Sequence, residues 1–142
     1  RGNEDAHGRA LRRDAEPTLR TLHERGIKIG LVSDCTHELP EMWPSLPIAR
    51  YVDATVFSVQ IGLRKPHPDM YATVSQLLGV PPAACLYIGD GGSGELTGAV
   101  QAGMTAFRLA TPDAADAIIY DIDSAWTGPT IGALSEVLTL VT

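Results

Sequence analysis

The sequence predicts an α/β fold, a three-layer sandwich with a mainly parallel sheet, on two observations. Short apolar or β-branched runs alternate with segments of helical spacing along most of the chain, which is typical of parallel strands joined by helices. The 142 residues are 44% hydrophobic and 20% charged, which is enough to form one core without disulfide bonds. No internal repeat, linker or change of composition marks a second domain. We therefore expect one α/β domain over residues 1–142.

Four strands are predicted from apolar runs that are rich in β-branched residues or bounded by turn residues. In chain order they are 27–33, 54–59, 84–89 and 104–110. Between the first two, the segment "ELPEMWPSLP" contains three prolines, so it is expected to form only short helical turns. Residues 1–16 are polar and weakly patterned, and we expect a tail or the remnant of a missing element there.

Four helices are predicted from apolar spacing and from residues that start or stop a helix. They are expected at 17–26, 69–79, 95–102 and 131–141. Pro17 suits the first turn of the first helix, and Gly26 supplies its left-handed stop. The second helix places four apolar residues on one face: Met70, Val74, Leu77 and Leu78. The closing helix does the same with Ile131, Leu134, Leu138 and Val141.

The charge of the chain excludes several functions. A net charge of -6 and a pI near 5.0 argue against binding to nucleic acid or anionic membranes, which requires clustered Lys and Arg. The one basic cluster, Arg9, Arg12 and Arg13, is short and is expected to be a solvated face. No apolar run approaches the roughly 20 residues of a membrane-spanning helix, and no signal-peptide pattern opens the sequence. We expect a cytoplasmic protein in which Cys35 and Cys85 are reduced core thiols.

Three polar residues lie at the carboxyl ends of predicted strands or in loops that follow them. Ser33 ends the first strand, Lys65 follows the second after a short loop, and Asp90 follows the third. Ligands of parallel α/β folds collect at this edge of the sheet. A hydroxyl donor, an ammonium group and a carboxylate that suits Mg²⁺ together predict a phosphate site.

The glycines after the third strand also allow a different interpretation. Gly89, Gly91 and Gly94 satisfy G-x-G-x-x-G between a strand and a helix, the pattern of a dinucleotide-binding loop. Asp113 then has a tolerable spacing for a ribose ligand. This alternative leaves the sequence contexts of Ser33 and Lys65 unexplained.

Three segments in the same order resemble the motifs of the haloacid dehalogenase superfamily, in particular its phosphatase-like branch. They are "IGLVSDC", "GLRKPHPDMY" and "CLYIGDGGSGEL". The resemblance implies a Rossmann-like core and Mg²⁺-dependent hydrolysis of a small phosphorylated metabolite. It also implies that Ser33 donates a hydrogen bond to a phosphoryl oxygen, that Lys65 offsets negative charge, and that Asp90 binds Mg²⁺.

The sequence departs from the family pattern at two positions near these motifs. Asp34 stands where Asn is usual, and its backbone N–H is expected to contact the anion. Gly94 stands where many relatives carry a second metal-binding acid, so Glu95 is the candidate for that role. Because Glu95 begins a predicted helix, the direction of its side chain is left open by the sequence.

The largest departure is that no apolar strand ending in an aspartate pair precedes Ser33. Members of the superfamily attack phosphorus with such an aspartate, so no nucleophile is assigned in this chain. Asp121 and Asp123 imitate the motif, but only in a permuted chain order. We expect an incomplete core, a fragment that is inactive alone. Either another chain or segment supplies the missing central strand, or the two flanking strands close up, or the sheet is otherwise rearranged. The remaining alternative is a non-catalytic interaction domain.

Overall fold

The computed structural model describes residues 14–110 and 126–141. The strands are β1 (Gly30–Ser33), β2 (Ala54–Phe57), β3 (Leu86–Gly89), β4 (Thr105–Leu109) and β5 (Thr130–Ile131). The α-helices are α1 (14–24), α2 (Glu38–Met42), α3 (Ser58–Ile61), α4 (Pro68–Leu78) and α5 (Glu95–Gln101). Short 3₁₀ helices cover Trp43–Ser45, Pro47–Tyr51, Pro82–Ala84, Gly92–Gly94 and Leu134–Thr139.

The strands form two parallel sheets. β1 pairs with β2 in one sheet, and β3, β4 and β5 pair in that order in the other. The predicted α/β class with parallel strands is confirmed. β1 and β3 are not hydrogen-bonded to each other and no described strand lies between them, so among the described residues these two flanking strands do not close up. Within residues 14–110 and 126–141, each of these two strands therefore has one edge without a strand partner.

Helices α4 and α5 join the two sheets. α4 packs against β1 and β2, α5 packs against β3 and β4, and the two helices contact each other. Their facing side chains form the core, in which Met70, Tyr71, Leu96 and Ala99 are each 0% exposed. The predicted apolar face of α4 is wrong at Leu77, which is 59% exposed.

Gly98 allows α5 to approach α4 and the loop before it. A Cβ atom at this position would lie 2.7 Å from Pro66 Cβ and 2.7 Å from the Tyr71 hydroxyl. Both distances are below the closest approach that real Cβ atoms show, so any side chain here would push the helix away. The spacing of α5 from the loop that carries Lys65 therefore depends on this glycine.

We expect Gly98→Ala to destabilise the protein by about 1–3 kcal/mol, the usual cost of overpacking a core. Alanine is otherwise favoured over glycine inside a helix by up to about 1 kcal/mol, so the steric effect reverses the normal sign. Urea unfolding measures the change. Val100→Ala in the same helix is the matched control, because Val100 is 49% exposed and should change little. Equal or greater stability of the Gly98 variant would contradict the packing argument.

The ends of three predicted elements are corrected by the structure. α1 already includes residues 14–16, so Pro17 lies inside the helix instead of opening it. β1 begins only at Gly30, because Ile29 N–H donates to the Asp53 carboxylate at 2.8 Å and Ile29 C=O accepts from Asp53 N–H at 2.7 Å. β2 stops at Phe57, because Ser58 starts the single helical turn of α3.

The predicted closing helix is wrong. Thr130 and Ile131 instead form β5, which pairs in parallel with β4, and a 3₁₀ helix follows. The turn between them is held by Glu136, whose carboxylate accepts from the N–H groups of Gly132 at 2.6 Å and Ala133 at 2.8 Å. Ile131 is 5% exposed, so it is buried as its apolar character predicts, but it lies in a strand and not in a helix.

Other predictions remain outside the reach of the structure. Residues 1–13, 111–125 and 142 are not among those described, and they include the basic cluster, Asp113, Asp121 and Asp123. Within the described part of the chain, no helix has the length and apolar character needed to cross a membrane.

Candidate functional site

The candidate site lies at the carboxyl ends of β1 and β3. Asp34 directly follows β1, Asp90 directly follows β3, and Lys65 lies in the loop that precedes α4. Lys65 connects the two strand ends: its backbone N–H donates to Asp34 Oδ1 at 2.9 Å, and its Nζ donates to Glu95 Oε1 at 2.9 Å. Charged groups from three separate segments therefore meet at one edge of the sheets.

The Lys65–Glu95 ion pair is largely removed from solvent. The side chains of Lys65 and Glu95 are 15% and 5% exposed. Such a pair is screened by salt much less than a surface pair, so its geometry is well defined. It brings an ammonium group and a carboxylate to the place where the sequence predicts phosphate and metal.

Glu95 accepts further hydrogen bonds from β3 and the loop after it. The Tyr87 hydroxyl donates to Glu95 Oε1 at 2.6 Å, and the Gly91 N–H donates to Oε2 at 2.9 Å. The Tyr71 hydroxyl donates to the backbone oxygen of Glu95 at 2.8 Å. Both carboxylate oxygens and the backbone of this residue are thus held by named donors.

Gly89 makes room for the Glu95 carboxylate. A Cβ atom on Gly89 would lie 2.5 Å from Glu95 Cδ, so the carboxylate rests directly against the backbone of β3. The dinucleotide alternative assigned this glycine to a loop for a pyrophosphate. The structure fills the space with a carboxylate instead.

The loop between β3 and α5 turns the start of α5 back over the strand. Three of its residues have positive φ: Gly91 at 98°, Ser93 at 58° and Gly94 at 65°. Positive φ is easy for glycine and costly for other residues, so Ser93 is the strained position of this loop. Because of this turn, Glu95 points toward the site, which answers the question that the sequence left open.

Asp90 is held within the same loop. Its Oδ1 accepts from the Gly92 N–H at 2.9 Å, and its backbone oxygen accepts from Arg108 Nε at 3.3 Å. Its carboxyl also lies within hydrogen-bonding reach of the Glu95 carboxyl. Two acids are therefore adjacent at the end of β3.

Burial sets the electrostatics of the site. Desolvation raises the pKa of the Glu95 carboxyl above its ordinary value, which the charge of Lys65 opposes and the hydrogen bond with Asp90 reinforces. The pKa values of Tyr71 and Tyr87 are raised first by burial and then by the charge of Glu95. Both tyrosine hydroxyls therefore remain protonated donors at neutral pH.

The structure brings four of the five sequence-predicted site residues into one connected network: Asp34, Lys65, Asp90 and Glu95. The fifth, Ser33, is the last residue of β1 and precedes Asp34, and none of the described residues hydrogen-bonds its hydroxyl. Asp34 stands where the family usually has asparagine. The hydrogen bond that it accepts from the Lys65 N–H is one that an asparagine oxygen could accept as well, so this contact does not depend on the departure from the family pattern. The roles of these residues remain predictions.

Tyr71 and Tyr87 contact Glu95 in the site but were not predicted from the sequence. A buried tyrosine hydroxyl needs a hydrogen-bond partner, so Tyr87 in a strand next to "IGD" is a signal that could have been used. The identity of its partner depends on how the following loop turns, which the residue pattern does not give.

The geometry also argues against the dinucleotide alternative. A pyrophosphate would need the free N–H groups of the glycine loop. The Gly91 N–H is bonded to Glu95 and the Gly92 N–H to Asp90, so carboxylates already occupy these donors.

Metal ligands are only partly present in the described residues. Across residues 14–110 and 126–141, no group of three or more His, Cys, Asp and Glu side chains is arranged to hold a metal ion. Asp90 and Glu95 supply a pair of hard oxygen ligands, which suits Mg²⁺ in chemical type. Any further ligands would come from water, from a substrate or from residues outside the described ranges.

The fold is a parallel α/β fold that brings an ammonium group and two carboxylates together near the carboxyl ends of β1 and β3. Comparison with known proteins identifies the family. The model of the haloacid dehalogenase-like hydrolases matches residues 2–103, and the chain belongs to this family.

Similar proteins include phosphatases. The chain is 35% identical to a glyceraldehyde 3-phosphate phosphatase from Methanopyrus kandleri, over 68% of this chain and 42% of that protein. It is 30% identical to a phosphoglycolate phosphatase from Salmonella paratyphi A, over 73% of this chain and 44% of that protein. The crystal structure of a HAD phosphatase from Thermococcus onnurineus matches with a TM-score of 0.74 and 25% identity, covering 89% of this chain and 56% of that one. The chain thus spans less than half the length of these two phosphatase relatives.

Proposed function

We propose that this chain forms the core of a Mg²⁺-dependent hydrolase that cleaves phosphate esters of a small metabolite. The observation that carries the proposal is the position of Lys65, which contacts Asp34 at the end of β1 and Glu95 beside the end of β3. The names of the two phosphatase relatives support a small phosphorylated substrate.

In this proposal Ser33 and the backbone N–H of Asp34 donate hydrogen bonds to phosphoryl oxygens. Lys65 offsets the negative charge that gathers when a carboxylate nucleophile approaches a phosphate. Its partly buried position strengthens this effect, because water screens the ammonium charge only weakly there.

Asp90 and Glu95 would hold the Mg²⁺ ion. Two neighbouring carboxyls in a buried setting repel each other when ionised, and a divalent cation removes that repulsion. The ion would supply charge neutralisation at the phosphoryl oxygens. Asp90 and Glu95 fit Mg²⁺ chemically, since this ion prefers oxygen ligands and both side chains offer carboxylate oxygens.

The nucleophile is proposed to be an aspartate on a strand between β1 and β3, supplied by an upstream segment or by another polypeptide. Its carboxylate oxygen would form a bond to phosphorus while the bond from phosphorus to the ester oxygen breaks, and the alkoxide that leaves would take a proton from water. Water would then cleave the aspartyl phosphate to phosphate and restore the carboxylate. On this proposal the 142-residue chain does not turn over substrate alone.

Hydrolysis of p-nitrophenyl phosphate tests the function. We expect turnover that requires Mg²⁺ and stops with EDTA in a chain extended upstream through one further strand, and none in the 142-residue chain. If the folded, extended chain shows no turnover, the enzyme proposal is wrong and the interaction-domain alternative is favoured. Saturable micromolar binding of NAD or FAD would instead favour the dinucleotide alternative.

A further inference from the structure

The Glu95 carboxylate is held at both oxygens by groups from β3 and the loop after it. Tyr87 donates to Oε1 and the Gly91 N–H donates to Oε2. Gly89 lies between these two donors in sequence, and its missing side chain gives the carboxylate its place against the strand. Tyr87 and Gly89 share a face of β3, because side chains alternate along a strand.

The number of hydrogen bonds limits where Glu95 can take a cation. An ionised carboxylate offers about four lone-pair positions, two on each oxygen. Lys65 and Tyr87 occupy both positions on Oε1, whereas Oε2 accepts from the Gly91 N–H. The remaining contact of this carboxyl is its hydrogen bond with the Asp90 carboxyl, and a divalent cation would replace the proton that the two groups share.

We propose that Tyr87 is a positioning residue that holds Glu95 for the cation. Its hydroxyl anchors Oε1 together with the Lys65 ammonium group, so the carboxylate does not turn and Oε2 stays next to the Gly91 N–H. This inference rests on the Mg²⁺ site of the proposed function.

Tyr87 and Tyr71 hydrogen-bond different parts of Glu95. The rings of the two tyrosines pack edge to face, with centroids 5.5 Å apart. Tyr71 donates to the backbone oxygen of Glu95, whereas Tyr87 donates to the carboxylate itself. Loss of the Tyr87 hydroxyl therefore removes one donor from the carboxylate while the backbone contact with Tyr71 remains.

The test measures the binding of Mn²⁺, a paramagnetic substitute for Mg²⁺, to the 142-residue chain by electron paramagnetic resonance. We expect Tyr87→Phe to bind Mn²⁺ about 10-fold more weakly than the wild type, the scale of losing a group that orients a metal ligand. Gly89→Ala should also weaken binding, because its Cβ displaces the same carboxylate from the strand side. Tyr51→Phe is the matched control, since Tyr51 is buried against Arg50 and His23 in the segment before β2.

Thermal unfolding of each variant, with and without Mg²⁺, separates positioning from folding. A positioning role predicts that Tyr87→Phe unfolds at a temperature close to that of Tyr51→Phe but loses most of the stabilisation by Mg²⁺. Equal Mn²⁺ affinity of Tyr87→Phe and wild type would overturn the role of Tyr87 and leave the metal site standing. Absence of saturable Mn²⁺ binding in the wild type would overturn the metal site and the role of Tyr87 together.

Discussion

Replacing Lys65 with alanine is expected to lower kcat for Mg²⁺-dependent hydrolysis by at least about 10²-fold, the scale of losing one preorganised charge contact. The substitution removes the ammonium group that contacts Glu95 at 2.9 Å but keeps the backbone N–H that donates to Asp34. The loop should therefore keep its conformation while the site loses the ammonium charge of Lys65. Steady-state hydrolysis of p-nitrophenyl phosphate by the upstream-extended chain measures the effect.

Lys28 offers a matched control for this experiment. It is the other lysine of the sequence and is exposed, and it lies before β1. Lys28→Ala should leave kcat within about 2-fold, since an exposed charge away from the site is well screened. A near-normal rate for Lys65→Ala would remove Lys65 from the mechanism.

The second large effect is expected from Asp90→Asn, which should reduce the Mg²⁺-dependent rate by at least about 10²-fold because the metal supplies several kcal/mol of charge stabilisation. Asparagine can still accept the hydrogen bond from the Gly92 N–H, so the loop should be retained. What is lost is one of the two negative charges proposed to hold the ion. Titration of the rate with Mg²⁺ measures the change.

Asp69→Asn is the control for the loss of a carboxylate. Asp69 is exposed in the first turn of α4, near Lys65 in sequence but outside the hydrogen-bond network of the site. Its substitution should affect only helix stability, by about 0.3–1 kcal/mol. If Asp90→Asn kept a normal rate and Mg²⁺ dependence, the metal assignment at the end of β3 would be wrong.

The local sequence pattern was sufficient to predict elements whose first and last residues are marked by nearby residues such as proline and glycine. α4 runs from Pro68 to Leu78 and ends at Gly79 in the left-handed conformation, as the apolar spacing and the glycine predict. The closing helix was wrong because Ile131 pairs with Leu109 of β4, and pairing between distant segments is invisible in a local period. The gap between β1 and β3, by contrast, was expected, because no apolar strand ending in an aspartate pair precedes Ser33.

For the site, sequence order was sufficient to expect Asp90 directly after β3, whereas Lys65 lies beyond α3 in the loop that precedes α4. The direction of Glu95 was out of reach because it depends on the backbone of the preceding loop, including a positive φ at Ser93 that residue preferences do not predict. The partnership of Tyr87 with Glu95 follows from that same turn. Contacts that depend on one unusual backbone angle are beyond pattern-based reasoning.

The two sheets have a consequence for the behaviour of this polypeptide in solution. A strand edge with unpaired N–H and C=O groups is a template for β-sheet formation with any other chain that reaches it. Among the described residues, β1 and β3 each present such an edge. The strand proposed to lie between them would therefore also protect the protein from aggregation, so that on the proposed function solubility and chemistry depend on the same strand.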